Sequence, residues 1–206
     1  MIALFFEVLP KSGHDGTYFE MAAKLKPALD ASGGLLFLDR SCSAARAGWF
    51  LSHQFWRDEA SMTRWRANPA HHRTQACART DILADYRLRV AQVMASVEHG
   101  HAISHEPLAG AAAYNDPHCV PERFIVSILA SAPLAGLLGE TFTSVYDSAL
   151  SVHVIPVASA AEGHSVLNHA ADDPALKIAR LGLISRDYTL RDRAEAPQYF
   201  EPVTLS

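Results

Sequence analysis

From Ile2 to Leu9 both alternating sets of positions are apolar: Ile2, Leu4, Phe6 and Val8 on one, Ala3, Phe5 and Leu9 on the other. A strand with two apolar faces must be covered on both. Glu7 interrupts the second set. Lys11 to Gly16 predicts a turn. From Thr17 to about Ala31, Tyr18, Ala22, Leu25 and Leu29 recur at helical spacing, which predicts an amphipathic helix. Pro27 should kink it, and Gly33-Gly34 should end it. Strands are expected at Leu35–Ser41 and Trp49–Trp56. Asp58 then caps a helix carrying Met62 and Trp65, which breaks at Asn68-Pro69, where Asn suits the cap and Pro the first helical position. The last strand places Ile82, Ala84, Tyr86, Leu88 and Val90 on one face, with Asp85, Arg87 and Arg89 on the other. The order is β-α-β-β-α-β, a ferredoxin-like unit.

A fainter version of this pattern follows. Asp85-Tyr86-Arg87-Leu88-Arg89 returns as Asp187-Tyr188-Thr189-Leu190-Arg191, each residue 102 positions on. Asn68-Pro69 has its echo in Asp173-Pro174. A second unit is therefore expected, with strands at Arg123–Ala130, Phe142–Tyr146 and Val152–Val157 and a first helix shrunken to Pro133–Leu138. Pro156 implies an edge or bulge, and Ser159 with Glu162 forms a capping box. Trp56 and Trp65 have no aromatic counterpart there. Three segments result: 1–97, a linker at 98–121, and 122–206. The fold class is α+β, two tandem ferredoxin-like domains. A lone sheet with helices on one face leaves the other bare, so two sheets packed face to face in one chain satisfy the pattern. This intramolecular pseudo-dimer leaves room for a further homodimer, and a space between sheet and helices would take a small apolar ligand.

Composition narrows the field. At 206 residues, 49% hydrophobic and 19% charged, the chain can bury a sizeable core. A net charge of −4 without basic runs argues against nucleic acid and anionic membrane as partners. Cys42, Cys77 and Cys119 are far apart and odd in number, which suits reduced thiols in a cytoplasmic protein rather than disulfides or zinc. The apolar N-terminus meets Glu7 too soon for a membrane span. His99, His101, His105 and His118 match no compact metal motif and read as a solvated linker.

The first unit resembles the antibiotic biosynthesis monooxygenase family of the dimeric α/β-barrel group. The resemblance rests on Phe55-Trp56-Arg57-Asp58-Glu59-Ala60, Trp65-Arg66, Asn68-Pro69 with His72 and Gln75, and Asp85-Tyr86-Arg87-Leu88-Arg89-Val90. It implies a fold, and a choice of chemistries. The cofactor-free type deprotonates a small aromatic or quinol-like substrate to a carbanion that itself reacts with molecular oxygen. Such a site needs an apolar slot, a base and a donor for the developing oxyanion. Trp65, His72 and Glu7 are the candidate catalytic residues, with His53, a further candidate base, Asn68 and Arg89 as substrate-binding ones, and no cofactor. The heme-degrading type is the alternative. It uses a first-strand asparagine and an axial histidine ten residues after the tryptophan, where this chain has Glu7 and Gln75. A third reading is binding of small aromatics without turnover.

Each residue also has a purely structural role open to it. Trp65 falls on the helix face that packs on the sheet. Glu7 needs a partner such as Arg40 or Arg89. His53 shares a face with Leu51 and Phe55, as a hydrogen-bonded core histidine would. Arg89 has Asp39 or Asp85 within reach.

Overall fold

The computed structural model describes residues 1–98, 101–104 and 123–197. Its first half is β1 (Ile2–Pro10), α1 (Asp15–Ser32), β2 (Leu35–Ser43), β3 (Phe50–Trp56), α2 (Glu59–Arg66), α3 (Pro69–Cys77), a π-helical turn (Ala78–Ile82) and β4 (Leu83–Glu98). The second is β6 (Phe124–Ala130), β7 (Glu140–Ser144), β8 (Ser151–Val157), α4 (Ala160–Ala171) and β9 (Leu176–Thr189). Between them a short β5 (His101–Ser104) pairs with the end of β4. Part of the expected linker is therefore strand, and His101 on it is exposed. His99, His105 and His118 lie outside the described residues, as does Cys119. No helix among the described residues is long and apolar enough to cross a membrane.

The strands form a closed ring. Their order is β1-β3-β2-β7-β8-β6-β9-β4, and β4 pairs back onto β1. The two halves do not merely stack. They are hydrogen-bonded edge to edge, β2 to β7 and β4 to β9, into one eight-stranded barrel. Closure removes the unpaired edges that open sheets must protect.

Alternation sorts each strand into a face toward the barrel interior and a face toward the helices. Ala3, Phe5, Leu51, Phe55, Ala91 and Val93 from the first half meet Ile125, Leu129, Phe142, Val152, Val154 and Ile184 from the second in one interior cluster. On the outside, Ile2, Trp56 and Val90 pack under α1 and α2 with Leu29, Met62 and Trp65. Val126, Ile128, Ala179 and Leu181 pack under α4 with Leu167 and Ala170. Both faces of β1 and β6 are covered, as their two-sided apolar patterns require.

Local chemistry sets the helix ends. Asp58 accepts from the Ser61 amide at the start of α2, Asn68 from Ala70 and His71 at the start of α3, and Ser159 from Glu162 at the start of α4. Pro27 sits inside α1, which continues past it.

The second half departs from expectation in two places: Asp173-Pro174 starts no helix, as Asn68-Pro69 does, but lies in the turn between α4 and β9, and its first helix is missing. Residues 131–139 form no helix. Gly136 and Gly139 carry φ of 75° and 124°, and Pro133 removes a donor, so the stretch turns instead. The loop is pinned where the backbone amide of Leu134 donates to Nε2 of His153 at 3.1 Å. With no helix on that side, α4 lies directly on its sheet. A Cβ at Gly163 would stand 2.4 Å from a Leu181 methyl, so the glycine is what permits the approach.

Candidate functional site

In the first half a cleft of about 180 Å³ opens between the sheet and its helices. Its floor is the outer face of β1, β3 and β4, with Leu4, Phe6, Ser52, Gln54, Tyr86, Leu88 and Val90. The roof is α1, through Tyr18, Met21, Leu25 and Leu29, and the end wall is Met62, Trp65, His71 and Gln75 from α2 and α3. The surface is mostly apolar with a few convergent polar groups, the composition of a small-molecule site.

The second half supplies the remaining wall. Arg186, Tyr188, Arg193 and Pro197 all line the cleft. A bulge puts the first two there. Val90 pairs with Arg186 but Ala91 pairs with Ile184, so Ser185 is an extra residue on β9. Before it Ile178 and Ile184 face the barrel interior with its apolar cluster. After it the parity flips, and Arg186 and Tyr188 join Val90 and Leu88 on the cleft side. Re-aiming a side chain is a common use of a bulge next to a site. Arg186 is almost wholly buried and donates to Glu59 at 2.6 Å.

Trp65 and His71 form the aromatic corner of the cleft. Their rings stack at 4.2 Å with planes 15° apart, and Nδ1 of His71 lies 3.1 Å from the Trp65 carbonyl oxygen. Burial pushes the His71 imidazole down to about 4, against a smaller opposing effect of that carbonyl. The ring is therefore neutral at pH 7. A contact to a carbonyl needs the proton on Nδ1, which leaves Nε2 as acceptor. Beside it, Oε1 of Gln75 is buried without a hydrogen-bond partner.

Of the six residues singled out from sequence, Trp65 lines the cleft. His72, one residue and about 100° of helix from His71, is exposed. The Asn68 side chain is engaged as the α3 cap. Glu7, His53 and Arg89 are brought together, but on the interior face of the barrel. Phe5 on β1 has His53 across from it on one side and Arg89 on the other. Glu7 is ion-paired with Arg89, and at 2.5 Å with Arg46, which also reaches Glu140 of the second half. Of the partners expected for Glu7, Arg89 is the one found. Arg89 turns to Glu7 rather than to Asp39 or Asp85, and Asp39 instead accepts from Ser41 and Ser144. The Glu7–Arg89 pair is buried, so removing one partner would leave the other charge unpaired in the core. His53 stacks on Phe5 at 4.5 Å, bonds the Leu4 carbonyl through Nδ1, and is pushed down to about 3 by burial.

Sequence reasoning missed His71, Arg79 and every cleft residue beyond Arg89. Tyr86 and Tyr188 were visible inside the repeated Asp-Tyr-x-Leu-Arg run, although not as a site. That run is also not an equivalent ladder position in the two halves. β4 faces β1 through Leu83–Gln92, whereas β9 faces β6 through Leu176–Leu183. The two runs instead lie side by side at the seam, Leu88 against Tyr188 and Arg89 against Asp187.

The heme-degrading pattern is not reproduced: Glu7 faces away from the cleft, and ten residues after Trp65 stands Gln75, an amide, while the imidazole in the cleft is that of His71, held at Nδ1 by the Trp65 carbonyl. Among the described residues no cluster of three or more His, Cys, Asp or Glu is placed to hold a metal ion.

Fold and site together define a class: a fused, closed α/β barrel that encloses a small-molecule cleft under the helices of one half. Residues 1–76 match the antibiotic biosynthesis monooxygenase family. The jasmonate monooxygenase of Pyricularia oryzae is 32% identical over 222 residues, covering 99% of this chain and all of that one. The chain belongs to the antibiotic biosynthesis monooxygenase family. Among solved structures, an anthrone oxidase-like protein is similar over 98% of this chain and 96% of its own at 11% identity and a TM-score of 0.40. A protein from Pseudomonas aeruginosa is similar over 52% of this chain and 94% of its own, at 15% identity and a TM-score of 0.38.

Proposed function

We propose that this chain is a cofactor-independent monooxygenase that oxidises a small, largely apolar molecule bearing an enol or phenol oxygen, held in the first-half cleft. The observation that carries the reading is the corner made by Trp65, His71 and Gln75. Trp65 offers an apolar flat wall. Gln75 presents a buried acceptor that a ligand hydroxyl would satisfy. His71 presents a neutral imidazole with Nε2 as acceptor, the protonation state that a general base requires.

The chemistry balances without an outside reductant. A methylene activated by the neighbouring ring gives one proton to His71 and becomes a carbanion. The carbanion reduces dioxygen and forms the new C–O bond as a hydroperoxide. Loss of the second C–H proton with cleavage of the O–O bond leaves a ketone and water, so the substrate supplies all four electrons. The guanidinium groups on the cleft wall favour the anionic stages. The relative from Pyricularia oryzae is named for jasmonate, which places that compound in the test panel beside ring substrates.

The test is oxygen uptake by chelator-treated protein with an anthrone, a dihydroxynaphthalene and jasmonate. Uptake that persists without metal and falls at least about tenfold in His71→Gln is the expected result, a general base contributing about 10²–10⁴-fold. Uptake that needs added metal, flavin or heme would overturn cofactor independence. Binding without uptake for any compound would move the assignment to a ligand-binding protein.

A further inference from the structure

Ser52, Gln54 and Trp56 alternate along β3 and share the face that lies under the helices. Trp56 is fully buried, and its indole N–H can only donate. It donates to Oε1 of Gln54 at 2.9 Å, which fixes the orientation of that amide. The Gln54 NH2 group then donates to Oγ of Ser52 at 3.2 Å. Each link is directed by the one before it, and the direction runs from the core toward the cleft.

The last group in this relay is the Ser52 hydroxyl. It accepts from Gln54, so its own proton is left to give. Among the described residues nothing receives it. Across the ladder stand Phe6 on one side, which is apolar, and Arg40 on the other, whose side chain only donates. Ser52 is 3% exposed and lines the cleft. A buried hydroxyl proton without an acceptor is unfavourable, and a ligand oxygen would supply the acceptor. The donors expected from sequence leave this role open: Asn68 caps α3, and Arg89 pairs with Glu7 in the barrel interior.

We propose that Ser52 donates a hydrogen bond to a carbonyl oxygen of the substrate, which makes the substrate class a small apolar ketone. This deepens the cleft reading above and rests on it. The oxygen described there as enol or phenol enters as its carbonyl tautomer. When the conjugated methylene gives its proton to His71, the charge moves onto that oxygen, where a donor already stands. Ser52 and the Trp65–His71 corner thus hold the two ends of the reacting unit.

The experiment is calorimetric binding of α-tetralone, and of tetralin as the same bicycle without the oxygen, to the full chain, to Ser52→Ala and to Gln54→Glu. Circular dichroism confirms folding. The ketone is expected to bind Ser52→Ala at least about threefold more weakly than the unaltered chain, the scale of one neutral hydrogen bond, with tetralin unchanged. Gln54→Glu keeps the hydroxyl but reverses the last link, since at about pH 8 an ionised carboxylate accepts from both Trp56 and Ser52. The ketone should weaken there too. Ketone affinity unchanged in Ser52→Ala overturns the assignment, and unchanged in Gln54→Glu it overturns the relay. In either case tetralin binding leaves the cleft reading standing. If neither compound binds the unaltered chain, both readings fall.

Discussion

His53 shows how a side chain that looks catalytic is spent on folding. It sits on β3 between Leu51 and Phe55, fully enclosed by the barrel, with burial holding its imidazole near 3. Folded His53 stays neutral while the unfolded chain takes up a proton below the ordinary value of 6.5. The native state therefore has its full His53 contribution above that value and loses it as pH falls toward about 3. Urea unfolding across this window should show His53→Gln less pH-sensitive than the parent, by up to about 1.4 kcal/mol per pH unit. Parallel profiles would mean that the residue does not titrate as buried. His53 was legible as a core residue because alternation alone gives the face of a strand. His71 and His72 were not separable, because a few residues of a short polar helix do not fix its phase. The same alternation set Glu7 and Arg89 each on a definite face of its own strand, yet it could not say whether that face bordered a cleft or a sealed interior.

At the level of elements, the strands and caps were readable wherever one local rule decided the outcome. Asn68-Pro69 and Asp58 did start helices, and the two-sided strands were covered on both sides. The misreading of residues 133–138 came from counting leucines without weighing Pro133, Gly136 and Gly139, whose backbone preferences outweigh so short an apolar run. The bulge at Ser185 was invisible for a different reason. Periodicity reports a run of residues, and one inserted residue that flips the parity leaves no compositional mark. Helix α4 offers a test of what sets its close approach to the sheet. Gly163→Ala should cost about 1–3 kcal/mol by overpacking against Leu181, measured by thermal or urea unfolding. Adding Leu181→Ala should recover part of that loss, and a simple sum of the two costs would show that the contact is not what limits the helix approach.

For the whole molecule, closure is the dominant constraint. Residues 1–98 alone would present Phe5, Phe37, Phe55 and Ala91 on a bare face, and would leave β2 and β4 without their partners β7 and β9. Expressed by themselves, these residues should pair as a two-fold dimer that rebuilds the ring, read by light scattering behind a sizing column. A stable monomer would show that the second half is not needed to cover the first. The sequence announced this need for a partner sheet through β1, and the family resemblance named the arrangement. It did not disclose that the partner also furnishes one wall of the cleft.

That shared wall has a consequence for how such a chain changes over time. In a barrel made from two identical subunits, every substitution is made twice, so a residue improved for a pocket is also imposed on the scaffold. Fusion breaks that tie. Here residues 131–139 form no helix and α4 packs closely on its strands, while Arg186, Tyr188 and Arg193 line the cleft of the other half. The two halves are therefore not interchangeable, and a ligand held in that cleft should saturate at one molecule per chain.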